Sequence, residues 1–337
     1  MALPLSVLDL SPVTTAGPGP VALKNSLDLA RLCDRLGYTR YWVAEHHNLP
    51  SIASSAPDIM IGQIGAVTKH IRVGSGGVML PNHAPLMVAE RFKMLEALYP
   101  GRIDLGIGRA PGTDQITSIA LRRRQDVRED DDFLERFQEL LLFEQRAYPD
   151  NHPFSKVRAM PADVPLPPLF LLGSSNYSAQ LAATIGVGFA FAHHFASYDA
   201  GEAMLLYRHN FRPGALAAPY AILGTAAVCA DTDAEAERLA TTVDLNIVRR
   251  AKGEYLPLAS PEEAAAYDYT PVDRDRIRRN REHVAVGAPK TVRARLDELV
   301  AATRADEVMI TTMIFDHEAR RHSYELLAQE YGLAPRD

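Results

Sequence analysis

The sequence predicts one (β/α)8 TIM barrel over residues 1–337, with insertions before the fifth strand and between the seventh and eighth helices. Three observations predict it. Short apolar, strand-like runs alternate with amphipathic stretches from end to end, the mark of a parallel α/β fold. Eight such runs can be drawn, each followed or approached by a helix, which favours a closed barrel over an open sheet. Several runs end in glycine or polar residues, and the C-terminal strand ends are where a barrel builds its site.

In order, strands are expected at 3–9, 40–45, 71–80, 102–107, 168–173, 187–193, 220–228 and 306–312. Helices are expected at 21–36, 57–68, 85–98, 125–145, 174–186, 198–210, 232–251 and 289–303, with a last one at 316–331. Residues 146–167 hold five prolines and read as an extended loop before strand 5. Residues 252–286 combine three prolines with the basic run Arg274–Arg281. They read either as a lid or as a solvated helix face.

Composition narrows the function. At 47% hydrophobic residues the chain can bury a large core, and its net charge of −6 argues against nucleic-acid binding. Two cysteines, Cys33 and Cys229, are too few for a disulfide framework or a cysteine zinc site, and both are expected to be buried. No run approaches the roughly 20 apolar residues that span a bilayer, and no basic-then-apolar leader is seen, so a soluble cytoplasmic protein is expected.

The strand ends give the candidate residues. Strand 2 ends in Glu45-His46-His47-Asn48, strand 3 in Gly76-Gly77, and strand 4 in Gly108-Arg109-Ala110-Pro111-Gly112. Strand 5 ends in Gly173-Ser174-Ser175 with Ser178 one turn on, and strand 6 in His193-His194. Glycine lets a flat ligand approach the backbone, and Arg109 is a natural phosphate partner. Gly173, Ser174 and Ser175 open a helix, offering free N–H groups and hydroxyls either to a phosphate or to ordinary capping. His46 and His47 are candidates for a general base, a metal ligand or polar lining. Adjacent strand residues face opposite sides, so the two do not converge on one metal, and no metal site is expected. His317 and His322 are five apart and share no helix face; Asp316 reads as an N-cap.

These strand ends, in this order, resemble the bacterial luciferase-like flavin monooxygenases, and among them the single-subunit members. The carrying segments are Tyr41–His47, Val73–Pro81, Pro100–Gly112 and Leu172–Ser175, and the resemblance covers essentially the whole chain. It implies reduced FMN and O2, acting through a C4a-peroxyflavin on a small organic substrate, with the flavin supplied by a separate flavin reductase. It places a non-proline cis peptide at Gly76–Gly77 beneath the flavin ring. It assigns the phosphate to Arg109, Ser174, Ser175 and Ser178, and proton transfer to His46. A second mouth histidine of the luciferases is displaced here to His83, so its role stays open. The resemblance also implies a homodimer packed through 57–68 and 85–98, where the spacing of small and apolar residues equally suits packing on the barrel itself. Alternatives on the same fold are an F420-dependent hydride-transfer enzyme and a non-catalytic flavin-binding protein, with a metal-dependent hydrolase more distant.

Overall fold

The computed structural model describes residues 3–122 and 132–337. β1 (Leu5–Asp9), α1 (Gly19–Leu36), β2 (Arg40–Val43), α2 (Pro57–Val67), β3 (Arg72–Ser75), β4 (Val78–Met79) and α3 (Pro85–Leu98) form the first part of the barrel. β5 (Ile103–Gly108), α4 (Gln115–Arg122), α5 (Phe133–Gln145), β6 (Leu169–Gly173), α6 (Asn176–Ile185), β7 (Gly188–Ala192) and α7 (Ala200–Asn210) follow. The chain then runs through β8 (Ala221–Cys229), α8 (Asp233–Ala251), α9 (Pro261–Ala265), α10 (Pro271–Arg281) and β9 (Val284–Gly287). α11 (Pro289–Thr303), β10 (Glu307–Thr311) and α12 (His317–Glu330) complete it.

All strand pairings within the sheet are parallel, in the order β10-β1-β2-β3-β5-β6-β7-β8, and β8 pairs with β10 to close the barrel. β3 and β4 are one stave broken at Gly76–Gly77, with β4 rejoining β5. Side-chain alternation divides the core in two. Leu8, Trp42, Ala44, Phe170, Ala190, Ile222 and Met309 fill the barrel interior, whereas Leu5, Val7, Tyr41, Val43 and their counterparts pack outward against the helices. Gly37 ends α1 in the left-handed region at φ 91°, where a Cβ would strike Ala334 O at 2.2 Å, so only glycine serves.

One expectation is corrected. The helix at 232–251 was expected to be the outer helix after the seventh stave; α11 holds that place, packed between α7 and α12. α8 instead packs on α9, α10 and β9. β8 is long enough to have three partners: its first half pairs with β7 and β10 inside the barrel, and its second half, Ala226–Cys229, pairs with β9 beyond the rim. Residues 230–287 thus form an insertion at the C-terminal mouth, tied to the loop after β1 where Leu258 bonds Val13 and Thr15. The basic run is helical, as α10. Residues 146–168 carry no helix or strand, as their prolines require. The helix expected at 125–145 is found as α5; of the expected span, 125–131 lies outside the described residues.

Candidate active site at the barrel mouth

Glu45, just past β2, is completely buried and gathers donors from its own loop and from the segment at the end of β4. It accepts from His47 Nε2 at 2.9 Å, His83 Nε2 at 3.0 Å, Met79 N at 2.9 Å and Asn82 Nδ2 at 3.3 Å. Burial pushes its carboxyl up, but the bonds from His47 and His83 outweigh that and hold it at about 2. An ionised Glu45 therefore clamps the loops after β2 and β4 together. His47 and His83 belong to this clamp. The sequence named both histidines without seeing the carboxylate that organises them.

His46 continues the alternation that sends Trp42 and Ala44 inside the barrel. Its backbone N–H donates to Ser54 O at 3.0 Å, and its Nδ1 is buried with no partner among the described residues. Burial presses its pKa down to about 4, helped by the positive charge of Arg250, so the ring is neutral at pH 7. His194 stands at the end of β7, its Nδ1 donating to Gly224 O at 3.2 Å, and burial holds it at about 4 as well. His193 faces the other way, toward His283 at 4.9 Å, with neither ring nitrogen partnered. Counting inward positions from Ala190 through Ala192 would have singled out His194.

The Gly76–Gly77 peptide is cis, the bond the resemblance implies. A Cβ on Gly76 would lie 2.5 Å from Leu8 Cδ1, and one on Gly77 2.8 Å from Gly106 O. Backbone packing thus already requires glycine at position 77, whereas at position 76 a Cβ would press on the tip of the Leu8 side chain.

Arg109 follows β5 and lies over Tyr177, in the first turn of α6, with its Cζ 4.6 Å from the ring centroid. Ser175 holds the N-cap position in extended conformation, yet its side chain caps no N–H of the first turn. Asn176 donates to Glu202 at 2.8 Å while its Oδ1 is buried without a partner. Ser178 is buried against Gly173, where an added Cβ would meet Ser178 Oγ at 2.3 Å. The structure therefore brings Arg109, Gly173, Ser174, Ser175 and Ser178 to one corner of the mouth. His46 and Gly76–Gly77 lie on the staves of β2 to β4 at the same end. An uncapped helix start beside a guanidinium suits a phosphate, and a neutral imidazole with an unpartnered nitrogen suits proton transfer.

Other features are structural. Asp316 caps α12 by accepting from Ala319 N at 2.8 Å, and His317 and His322 pair with Asp28 and Asp231. Cys33 and Cys229 are buried and unbonded. Among the described residues no group of three or more histidine, cysteine or acidic side chains is arranged to hold a metal ion. None of their helices is long and apolar enough to cross a membrane.

Comparison with known proteins bears on the family and the fold. The family model for luciferase-like monooxygenases matches residues 4–307. A luciferase-like monooxygenase of Escherichia coli K12 is 44% identical over 324 residues, covering 95% of each chain. The N-acetyl-S-alkylcysteine monooxygenase of Bacillus subtilis is 34% identical over 336 residues, covering 98% of this chain and 99% of that protein. The crystal structure of apo-MsnO8 superposes with a TM-score of 0.89 at 39% identity, covering 99% of both chains.

Proposed function

Because the chain belongs to the luciferase-like monooxygenase family, an oxidoreductase family, we propose that it uses reduced FMN and O2 to oxygenate a small organic substrate in the barrel mouth. The observation that carries the cofactor reading is Arg109 stacked on the ring of Tyr177, a residue of the first turn of α6, a helix start without a side-chain cap. There Arg109, the N–H groups that follow Ser175, and the Ser174, Ser175 and Ser178 hydroxyls would hold the phosphate. The ring would lie toward Gly76–Gly77. When bound, reduced FMN supplies the electrons that activate O2, one atom going to the substrate and the other to water. His46, neutral at pH 7, takes up or hands on a proton at its unpartnered Nδ1. The buried Glu45 clamp keeps the loop that carries His46 in place.

Reduced flavin would come from a separate flavin reductase. The exposed apolar side chains Ile59 on α2, and Met87, Met94 and Leu98 on α3, support a homodimer through these helices. Light scattering on the purified protein checks that: a monomer would remove it.

N-acetyl-S-alkylcysteines are the first substrates to try, given the Bacillus subtilis relative. The protein is mixed with photoreduced FMN under 18O2, and the products are weighed by mass spectrometry. One 18O atom in the organic product supports the reading. Reduction of a substrate without O2, with F420 in place of FMN, would replace it with the hydride-transfer alternative.

A further inference from the structure

One aromatic side chain at the phosphate corner is not needed for packing. α6 lies on the barrel through Ser178, Ala179, Ala182 and Ala183, all of them buried. Tyr177 falls off that face and is 41% exposed. Among the described residues its hydroxyl makes no hydrogen bond and its ring meets no other aromatic ring. What lies on the ring is the Arg109 guanidinium, with Cζ 4.6 Å from the centroid. That is the closest guanidinium–ring contact among the described residues, the next being 5.0 Å. Arg109 follows β5 directly, on a turn that reaches Gly112 at φ 67°. A four-torsion side chain on such a turn samples many rotamers, and fixing one of them costs entropy when a phosphate binds. Stacking fixes the guanidinium plane by its face. The in-plane N–H groups, the ones that match phosphate oxygens, are not what a stack uses. The two partners come from the loop after β5 and the first turn of α6, the same elements that carry the proposed phosphate groups.

We propose that Tyr177 is the positioning residue of this corner: its ring holds the Arg109 guanidinium at the first turn of α6, and through Arg109 it sets the affinity for the phosphate of reduced FMN. This rests on the FMN reading above and adds the residue that orients the phosphate contact. The ring also covers one face of the cation, and keeping water from that face strengthens its attraction to a phosphate. The hydroxyl has no part in this, since a stack needs only the ring. The contribution is that of an exposed cation–π contact, and it exists only while both partners are present. A merely mechanical tie between the loop and α6 behaves otherwise: its loss lowers thermal stability and disturbs every flavin alike.

The test is anaerobic fluorescence titration of the whole protein with photoreduced FMN and, separately, with photoreduced riboflavin, which lacks the phosphate. The variants are Tyr177→Leu, Tyr177→Phe, Arg109→Ala and Arg109→Ala/Tyr177→Leu, each with a thermal melt to check folding. Tyr177→Leu keeps an apolar side chain but no ring face, and should weaken reduced FMN about 2- to 5-fold. Tyr177→Phe keeps the ring and should restore wild-type affinity. Reduced riboflavin should not distinguish the wild-type protein from Tyr177→Leu. With Arg109→Ala already present, adding Tyr177→Leu should weaken reduced FMN no further, so the two losses are not additive. Unchanged reduced-FMN affinity in Tyr177→Leu would overturn the proposal. So would equal weakening of riboflavin, which marks a mechanical tie or a contact with the flavin itself. Weakening by Tyr177→Phe would overturn it by assigning the effect to the hydroxyl, and additive losses would do so by separating Tyr177 from Arg109. Failure of the wild-type protein to bind reduced FMN at all would instead overturn the cofactor reading, and this inference with it.

Discussion

At the N-terminal end of the barrel, Arg40 donates to Asp104 at 2.7 Å and to Glu307 at 3.0 Å. Arg72 adds a bond to Asp104 at 2.6 Å, Trp42 Nε1 another at 3.1 Å, and Tyr220 closes on Glu307 at 2.6 Å. The Ser6 hydroxyl donates to Glu307 as well. Both carboxylates are fully buried and fully partnered, and Phe170 and Tyr220 cover the Arg40 guanidinium. At the C-terminal end His46 Nδ1, both nitrogens of His193 and Asn176 Oδ1 have no partner among the described residues, and the first turn of α6 has no side-chain cap. The same strands carry both ends. One end satisfies its own polar groups and therefore serves stability; the other leaves polar groups unmet, which is the arrangement the proposed ligand site needs.

Breaking the closed end should have the largest effect. Arg40→Ala leaves Asp104 and Glu307 buried with most of their compensation gone, and should cost about 3–5 kcal/mol in urea unfolding. A loss under about 1 kcal/mol would show that the network is not what holds that end. At the open end His46→Ala should do the reverse. Oxygenation should fall about 100-fold with the melting temperature nearly unchanged, because only proton transfer is lost. Steady-state oxygen incorporation with reduced FMN in excess reads this, and unchanged turnover would remove His46 from the chemistry.

The ends should also differ in pH response. His46, His193 and His194 are held near 4, below the ordinary histidine value of 6.5, so the folded chain binds fewer protons than the unfolded one between those values. Their contribution is present above pH 6.5 and is lost as pH falls toward 4. Urea midpoints at pH 7.5 and 5 should therefore drop for the wild-type protein and drop less for His194→Gln; equal drops would contradict the cause given. Glu45, held at about 2, gives way only at lower pH. The smallest change expected is from Ser174→Ala, which removes one hydroxyl from the phosphate corner and should weaken reduced FMN about threefold. Fluorescence titration measures it.

The barrel was legible because each stave is an apolar run bounded by turn residues. The expected 102–107 and 220–228 lie within one residue of β5 and β8. What periodicity does not encode is the choice of partner. Both 232–251 and 289–303 are amphipathic helices, and only tertiary packing places the second against α7 and α12. β9 has four residues, Val284–Gly287, too few for a two-residue period to show. In the site, Arg109 and the serines were legible because a helix start follows a strand end. The role of Glu45 was not, since its partners His83, Met79 and Asn82 come from a loop more than thirty residues away.

The measurement that tests the account most directly is anaerobic titration of photoreduced FMN into the wild-type protein and into Arg109→Ala. The account predicts saturable one-to-one binding, weakened about 10- to 100-fold in the variant as a charge-assisted phosphate contact is lost, with unchanged thermal stability. No saturable binding, or equal affinity of the two proteins, would contradict it.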